Sequence, residues 1–164
     1  MKIESEVAIA KAASSISEIS QAYLFGAKGC TFRVRSATNK KGKIEYFFTF
    51  KVNTGGRIVE VEDYLDDRDF KDLWAISFNK LEKTRYKFNG EYKGWVADFF
   101  RDHNDLTYFA MAECEMPEGD KSPKYVPAEI KESLVYEVPL TDDRFCSKLL
   151  SDVRYARNLF NEIG

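Results

Sequence analysis

Pairs of like charges two residues apart recur along this chain, each set in an alternating apolar pattern. Glu4 and Glu6 stand in IESEV, Arg33 and Arg35 in TFRVR, and Glu60 and Glu62 in VEVE; Lys83 and Arg85 stand in EKTRY, and Glu113 and Glu115 in AECE. Residues i and i+2 of a strand share one face, so each pair aims two like charges the same way. Solvent faces of amphipathic strands usually mix signs, because like neighbours repel. Five pairs separated by sign onto different strands therefore point to a site. Lys51, ending FFTFK, and Asp98, in WVADFF, are single charges in the same setting. Burying so many ions dry would cost several kcal/mol each, so the face must be wet, charge-paired and open to ligand. Basic strands suit a polyanion, and acidic pairs suit the divalent cations that accompany one.

Period-two patterns place strands at roughly 2–9, 20–24, 30–36, 44–52, 56–64, 80–88, 92–100, 107–115 and 133–138. Asn39 to Gly42, Thr54-Gly55-Gly56 and Asn89-Gly90 are the predicted hairpin turns, and residues 117–123 the longest loop. Helices are predicted over 10–19, 66–78 and 144–163, the last with Leu149, Leu150, Val153, Ala156, Leu159 and Phe160 on one stripe. A chain of 164 residues suits one domain, here 1–164. The expected fold is α+β and mainly β: an antiparallel, eight-stranded, tunnel-like barrel flanked by helices.

Composition narrows the chemistry. Hydrophobic residues are 44% and charged residues 32%, with a formal net charge of -2, as in a globular protein without a global basic field. No membrane partner is expected, and no nucleic acid other than a 5'-triphosphate end. The apolar runs are too short to span a bilayer and the first residues lack a signal-peptide pattern, so the expected location is cytoplasmic. Three cysteines without CxxC spacing read as reduced thiols. His103 is the single histidine, in the polar turn DHND with no nucleophile beside it, so a Ser-His-Asp or Cys-His enzyme and zinc chemistry lack their residues.

The order ExE, RxR, TxK, RxxExE, EKxRY, a strand-borne Asp, AExE and a late EV…DxRF…K resembles the CYTH superfamily, the triphosphate tunnel metalloenzymes, over residues 2–148. That family comprises charged β-barrel tunnels that include inorganic, thiamine and RNA triphosphatases and class IV adenylyl cyclases. The resemblance implies phosphate clamps at Arg33, Arg35, Lys51, Arg57, Lys83, Arg85, Arg144 and Lys148. It implies metal ligands for Mg²⁺ or Mn²⁺ at Glu4, Glu6, Asp98, Glu113 and Glu115. Glu60 and Glu62 match an acidic pair that orients basic side chains or a second metal; with Lys83 and Arg85 they form the expected catalytic group. Gln21-Ala22-Tyr23-Leu24 resembles the family's QGYL strand, with Ala22 in place of glycine.

The implied activity is metal-dependent hydrolysis of a triphosphate-bearing small molecule: inorganic triphosphate, a nucleoside triphosphate or thiamine triphosphate. One departure keeps a second class open. The family's first motif is E-x-E-x-K, and Ala8 stands at the lysine position; Lys11 would face away in a continuous strand. A nucleotide- or polyphosphate-binding protein with little turnover is therefore the alternative, and an adenylyl cyclase the third. A monomer and a homodimer are equally compatible with the sequence.

Overall fold

The computed structural model describes residues 1–55, 57–117, 119–120, 122–139 and 141–163. Gly56 of the predicted turn and Glu118 and Lys121 of the predicted loop lie outside that set. Seven antiparallel strands form one sheet: β1 (Ser15–Leu24), β2 (Cys30–Asn39), β3 (Ile44–Thr54), β4 (Arg57–Leu65), β5 (Phe78–Lys87), β6 (Trp95–Arg101) and β7 (Thr107–Cys114). Their order is β4-β3-β2-β1-β5-β6-β7, so β1 is central and the sheet is open between β4 and β7. The helices are α1 (Glu6–Ala12), α2 (Asp67–Ala75), α3 (Ala128–Glu132), α4 (Ser147–Leu150) and α5 (Val153–Ile163).

The mainly-β α+β class agrees with the sequence reading, but three predicted elements do not. Residues 2–9 form no strand: Ile3–Ser5 is a 3₁₀ turn that runs into α1. Three alanines favour the helix, and Glu6 and Lys11 sit at the ends that suit its dipole. The predicted helix at 10–19 gives way to β1, because pairing with β2 on one side and β5 on the other outweighs local helical preference. Residues 133–138 form no strand either. Without strands at 2–9 and 133–138, the eight-stranded closure is not formed among the described residues.

Other elements follow local chemistry. Asn39 accepts from the backbone N–H of Lys41 at 2.9 Å and of Lys43 at 3.1 Å, which sets the β2–β3 turn. Asp66 accepts from Asp69 N–H at 2.8 Å and starts α2. The predicted helix at 144–163 is divided, because Asp152 accepts from the N–H groups of Arg154 at 2.9 Å and Tyr155 at 3.0 Å and so begins α5 afresh. The Asn89-Gly90 turn is longer than a two-residue hairpin, with a 3₁₀ turn over Gly90–Tyr92 before β6.

The sheet has two unlike faces. On one, Ala22 and Val34 pack under Phe70 of α2, and Tyr86, Phe88, Ala97, Phe99 and Ala110 pack under Ile9 of α1 and Ile130 of α3. On the other, a helix-covered core lies at one end: Tyr23, Leu81, Phe100, Phe109 and Met111 lie beneath Leu150 of α4 and Ala156 and Leu159 of α5. Fully burying side chains such as Phe99 and Phe100 is worth about 1.5–3 kcal/mol each. The remainder of this second face carries the charged residues, with Phe47 and Tyr64 packed together at its far end. No helix among the described residues is long and apolar enough to cross a membrane.

Candidate functional site

Cross-strand register assembles the charges. Residues directly opposite each other in an antiparallel pair share a face. From one edge inward, Glu60 lies opposite Lys51 and Glu62 opposite Thr49. Thr49 in turn lies opposite Arg33, Arg33 opposite Tyr23, and Arg35 opposite Gln21. Beyond β1, Ile19 lies opposite Lys83, Arg85 opposite Asp98, and Val96 opposite Glu113. Arg33, Arg35, Lys51, Glu60, Glu62, Lys83, Arg85, Asp98 and Glu113 thus occupy one face, as their alternation on separate strands predicts.

They form two ionic groups. In the first, the Glu62 carboxylate accepts from Arg33 Nη2 at 3.3 Å, from Arg35 Nη2 at 3.0 Å and from Thr49 Oγ1 at 2.8 Å. Lys51 Nζ is 3.1 Å from Glu60. Glu62 therefore orients two guanidinium groups at once. The Nε atoms of both Arg33 and Arg35 are buried without a hydrogen-bond partner. Burial, and then the neighbouring Arg33 charge, hold Arg35 below the usual guanidinium range. Two guanidinium groups side by side on one carboxylate leave positive charge on this face, which suits an anion.

The second group is buried more deeply. Arg85 donates from Nε to Asp98 Oδ1 and from Nη2 to Oδ2, both at 2.7 Å, and Lys83 Nζ donates to Oδ2 at 2.6 Å. Lys83 is 3% exposed and Asp98 is 1% exposed. Burial pushes the Lys83 ammonium down despite Asp98. Burial alone would raise Asp98, but the Arg85 hydrogen bond and the Lys83 charge outweigh it and hold the carboxyl below its usual value. Two cations share one carboxylate here, so positive charge is left over towards the face.

Other predicted site residues stand apart. Arg57 pairs with Thr54, one residue out of phase with Lys51 and Glu60, and so belongs to the opposite face. Glu4 is exposed in the 3₁₀ turn, and Glu115 is exposed just past β7. Glu6 lies behind the sheet, where its carboxylate accepts from Arg101, from Thr107 Oγ1 at 3.0 Å and from Tyr86 OH at 2.7 Å. Arg144 is paired with Asp142 at 2.7 Å. Lys148 places Nζ 5.1 Å from the Phe78 ring centre. Arg101, the partner of Glu6, was not singled out by the sequence because it lacks a charged neighbour at i±2 of the same sign. All three cysteines are free, and Cys146 is exposed.

The carboxylates expected to hold Mg²⁺ or Mn²⁺ do not converge. Asp98 is saturated by Lys83 and Arg85, Glu6 faces away, and no three His, Cys, Asp or Glu side chains are grouped for an ion among the described residues. These donors do not fit a single metal centre.

No protein-family model matches the chain, and no curated protein matches it. Among solved structures, the PH1819 protein from Pyrococcus horikoshii OT3 is similar, with a TM-score of 0.51 and 16% identity. The likeness covers 100% of this chain and 86% of that one. At that identity the likeness extends to the fold alone: an antiparallel sheet with helices packed on its faces.

Proposed function

We propose that the charged face of the sheet binds the phosphate chain of a triphosphate-bearing small molecule. The observation that carries this reading is the pair Arg33 and Arg35, which share the Glu62 carboxylate and, with Lys51, outnumber the carboxylates Glu60 and Glu62 that they meet on this face. Lys51, Lys83 and Arg85 extend the same face on either side, so successive phosphates would meet successive cations. Each charge-assisted contact of this type is worth about 1.5–3 kcal/mol. The CYTH resemblance, drawn from the same residues, also implies phosphate contacts for these five side chains.

Metal-dependent hydrolysis of that chain, with Mg²⁺ or Mn²⁺, is the second reading, and the resemblance is what supports it. In that reading the ion would arrive with the substrate, Glu113 and Glu60 being the exposed carboxylates at the margins of the face. The closed eight-stranded tunnel belongs to the same reading. Binding with little turnover is favoured by the saturation of Asp98 and by the position of Glu6 behind the sheet.

One experiment separates these outcomes. Calorimetric titration with inorganic triphosphate, ATP and thiamine triphosphate, with and without Mg²⁺ or Mn²⁺, is run beside chromatography of the products. Binding without product supports the first reading alone; phosphate release that needs the metal supports hydrolysis as well. If none of the three compounds binds, the phosphate assignment is wrong.

A further inference from the structure

At one end of the charged face the turn after β1 encloses a cleft of about 290 Å³ with Phe78 and Lys148. That volume is near the lower limit of small-molecule sites, roughly 300 Å³. Phe25 forms its outer wall. The ring is 83% exposed yet stacked on Phe78, with centroids 4.1 Å apart and planes 24° from parallel. An isolated exposed phenylalanine is ordinary. Phe25 differs in having one ring face held by a partner and the other free, at a cleft whose lining also holds a cation, Lys148, with Nζ 5.1 Å from the Phe78 centre.

The turn is held against the sheet. A Cβ on Gly26 would lie 2.3 Å from the Phe32 ring, so the backbone there packs as closely as only glycine permits. The cleft is also continuous with the cationic row. Tyr23, which lines it, lies directly opposite Arg33, and Thr31, which also lines it, lies directly opposite Lys51. The Arg33 charge is close enough to act on the Tyr23 hydroxyl, whose pKa burial pushes up to about 12.

We infer that this cleft takes the planar aromatic ring of the same ligand, a nucleobase-type heterocycle stacked on the open face of Phe25 while its phosphates run towards Arg33. The inference rests on the phosphate reading above and adds the organic part of the ligand. Aromatic walls hold a base through its π-face, and Lys148 adds a cation to the cleft lining.

The test compares ATP with ribose 5'-triphosphate, which carries the same phosphates and no base, by calorimetry without divalent metal. Wild-type protein is expected to bind ATP about 5- to 150-fold more tightly, the worth of one base–aromatic stack. Phe25→Ala should bring ATP down to the affinity of ribose 5'-triphosphate, and Phe25→Trp should keep the preference. Tyr64→Ala, which alters an exposed aromatic at the opposite end of the face, should retain it too. A 2-aminopurine ribonucleoside triphosphate should lose fluorescence on binding to wild type and lose less with Phe25→Ala. Equal affinities for the two ligands in wild type, or a preference that survives Phe25→Ala, would overturn the ring site while leaving the phosphate reading standing. No binding of either triphosphate would overturn both.

Discussion

Arg85 grips both oxygens of Asp98, Nε on Oδ1 and Nη2 on Oδ2, each at 2.7 Å, while Lys83 donates to Oδ2 from the same side of the sheet. The arrangement spends one carboxylate on two buried cations. Removing it leaves Lys83 without a counter-ion at a position 3% exposed. Asp98→Ala is expected to lower stability by about 3–5 kcal/mol, the usual cost of orphaning a buried charge. Urea denaturation measures it, and a loss below about 1 kcal/mol would show that the pair is not a structural linchpin.

The same carboxylate makes stability depend on acid. Its pKa in the folded protein lies below 3.8, the ordinary value, so folding is linked to loss of the proton. The contribution is complete above pH 3.8 and declines as pH falls through the lower, folded value. Melting temperatures of wild type and Asp98→Asn should therefore differ most near neutral pH and converge in strong acid. A gap that stays constant to the acid limit would remove Asp98 as the titrating group.

Arg33 and Arg35 share Glu62, so their contributions to ligand binding should be coupled. Arg33→Ala and Arg35→Ala are each expected to weaken inorganic triphosphate by about ten- to 150-fold, from one charge-assisted contact. The double variant should lose less than the sum of the two, because either single change already frees Glu62 to oppose the anion. Wild-type affinity should fall steeply with added salt, as screening predicts for contacts at a half-exposed face. Affinity unmoved by either substitution would place the phosphates elsewhere.

Ala8 stands where the family pattern has a lysine, but here it lies exposed on α1, behind the sheet. Ala8→Lys is therefore expected to change neither triphosphate affinity nor any phosphate release. Calorimetry and product chromatography check both, and a gain of turnover would mean that the first residues can reach the charged face.

Glu6 has a structural role in this fold. It ties α1 to β5, β6 and β7 through Tyr86, Arg101 and Thr107. Glu6→Gln should cost about 1–3 kcal/mol of stability, the range for a buried partner left unsatisfied, without weakening triphosphate binding. A loss of binding at unchanged stability would return Glu6 to the ligand site.

Gly94 holds a backbone φ of +101°, and a Cβ there would come within 2.5 Å of the Glu115 carbonyl oxygen. Gly94→Ala is expected to destabilise by more than about 1 kcal/mol, since neither conformation nor space suits a side chain. Thermal unfolding reads the effect; a neutral result would show that the β6–β7 end relaxes freely.

Alternation was a sufficient guide wherever a strand carries its charges in the middle. Arg33 with Arg35, Glu60 with Glu62 and Lys83 with Arg85 had to share faces once those segments were strands, because successive side chains of a strand point to opposite sides. That local rule assigned most of the charged face and the antiparallel, mainly-β class. It failed at Glu4 and Glu6, where the same spacing lies in a turn and a helix; at that period, residues two apart do not face alike. At Arg57 it was the resemblance, not the alternation, that grouped the residue with these charges; its odd spacing from Glu60 turns it to the other side.

What the tertiary structure alone decided is which charges neutralise each other and which remain for a ligand. Glu62 binds Arg33 and Arg35 from two strands away, and Asp98 binds Lys83 and Arg85 across β5 and β6. Such pairings depend on strand order and register, which arise from long-range hydrogen bonding and are not encoded in the spacing along any one segment. For the same reason the sequence marked the acidic residues as metal ligands, whereas packing gave Asp98 to two cations and Glu6 to Arg101. Burial then fixed the energetic consequence, since an ion removed from water must find its partner nearby.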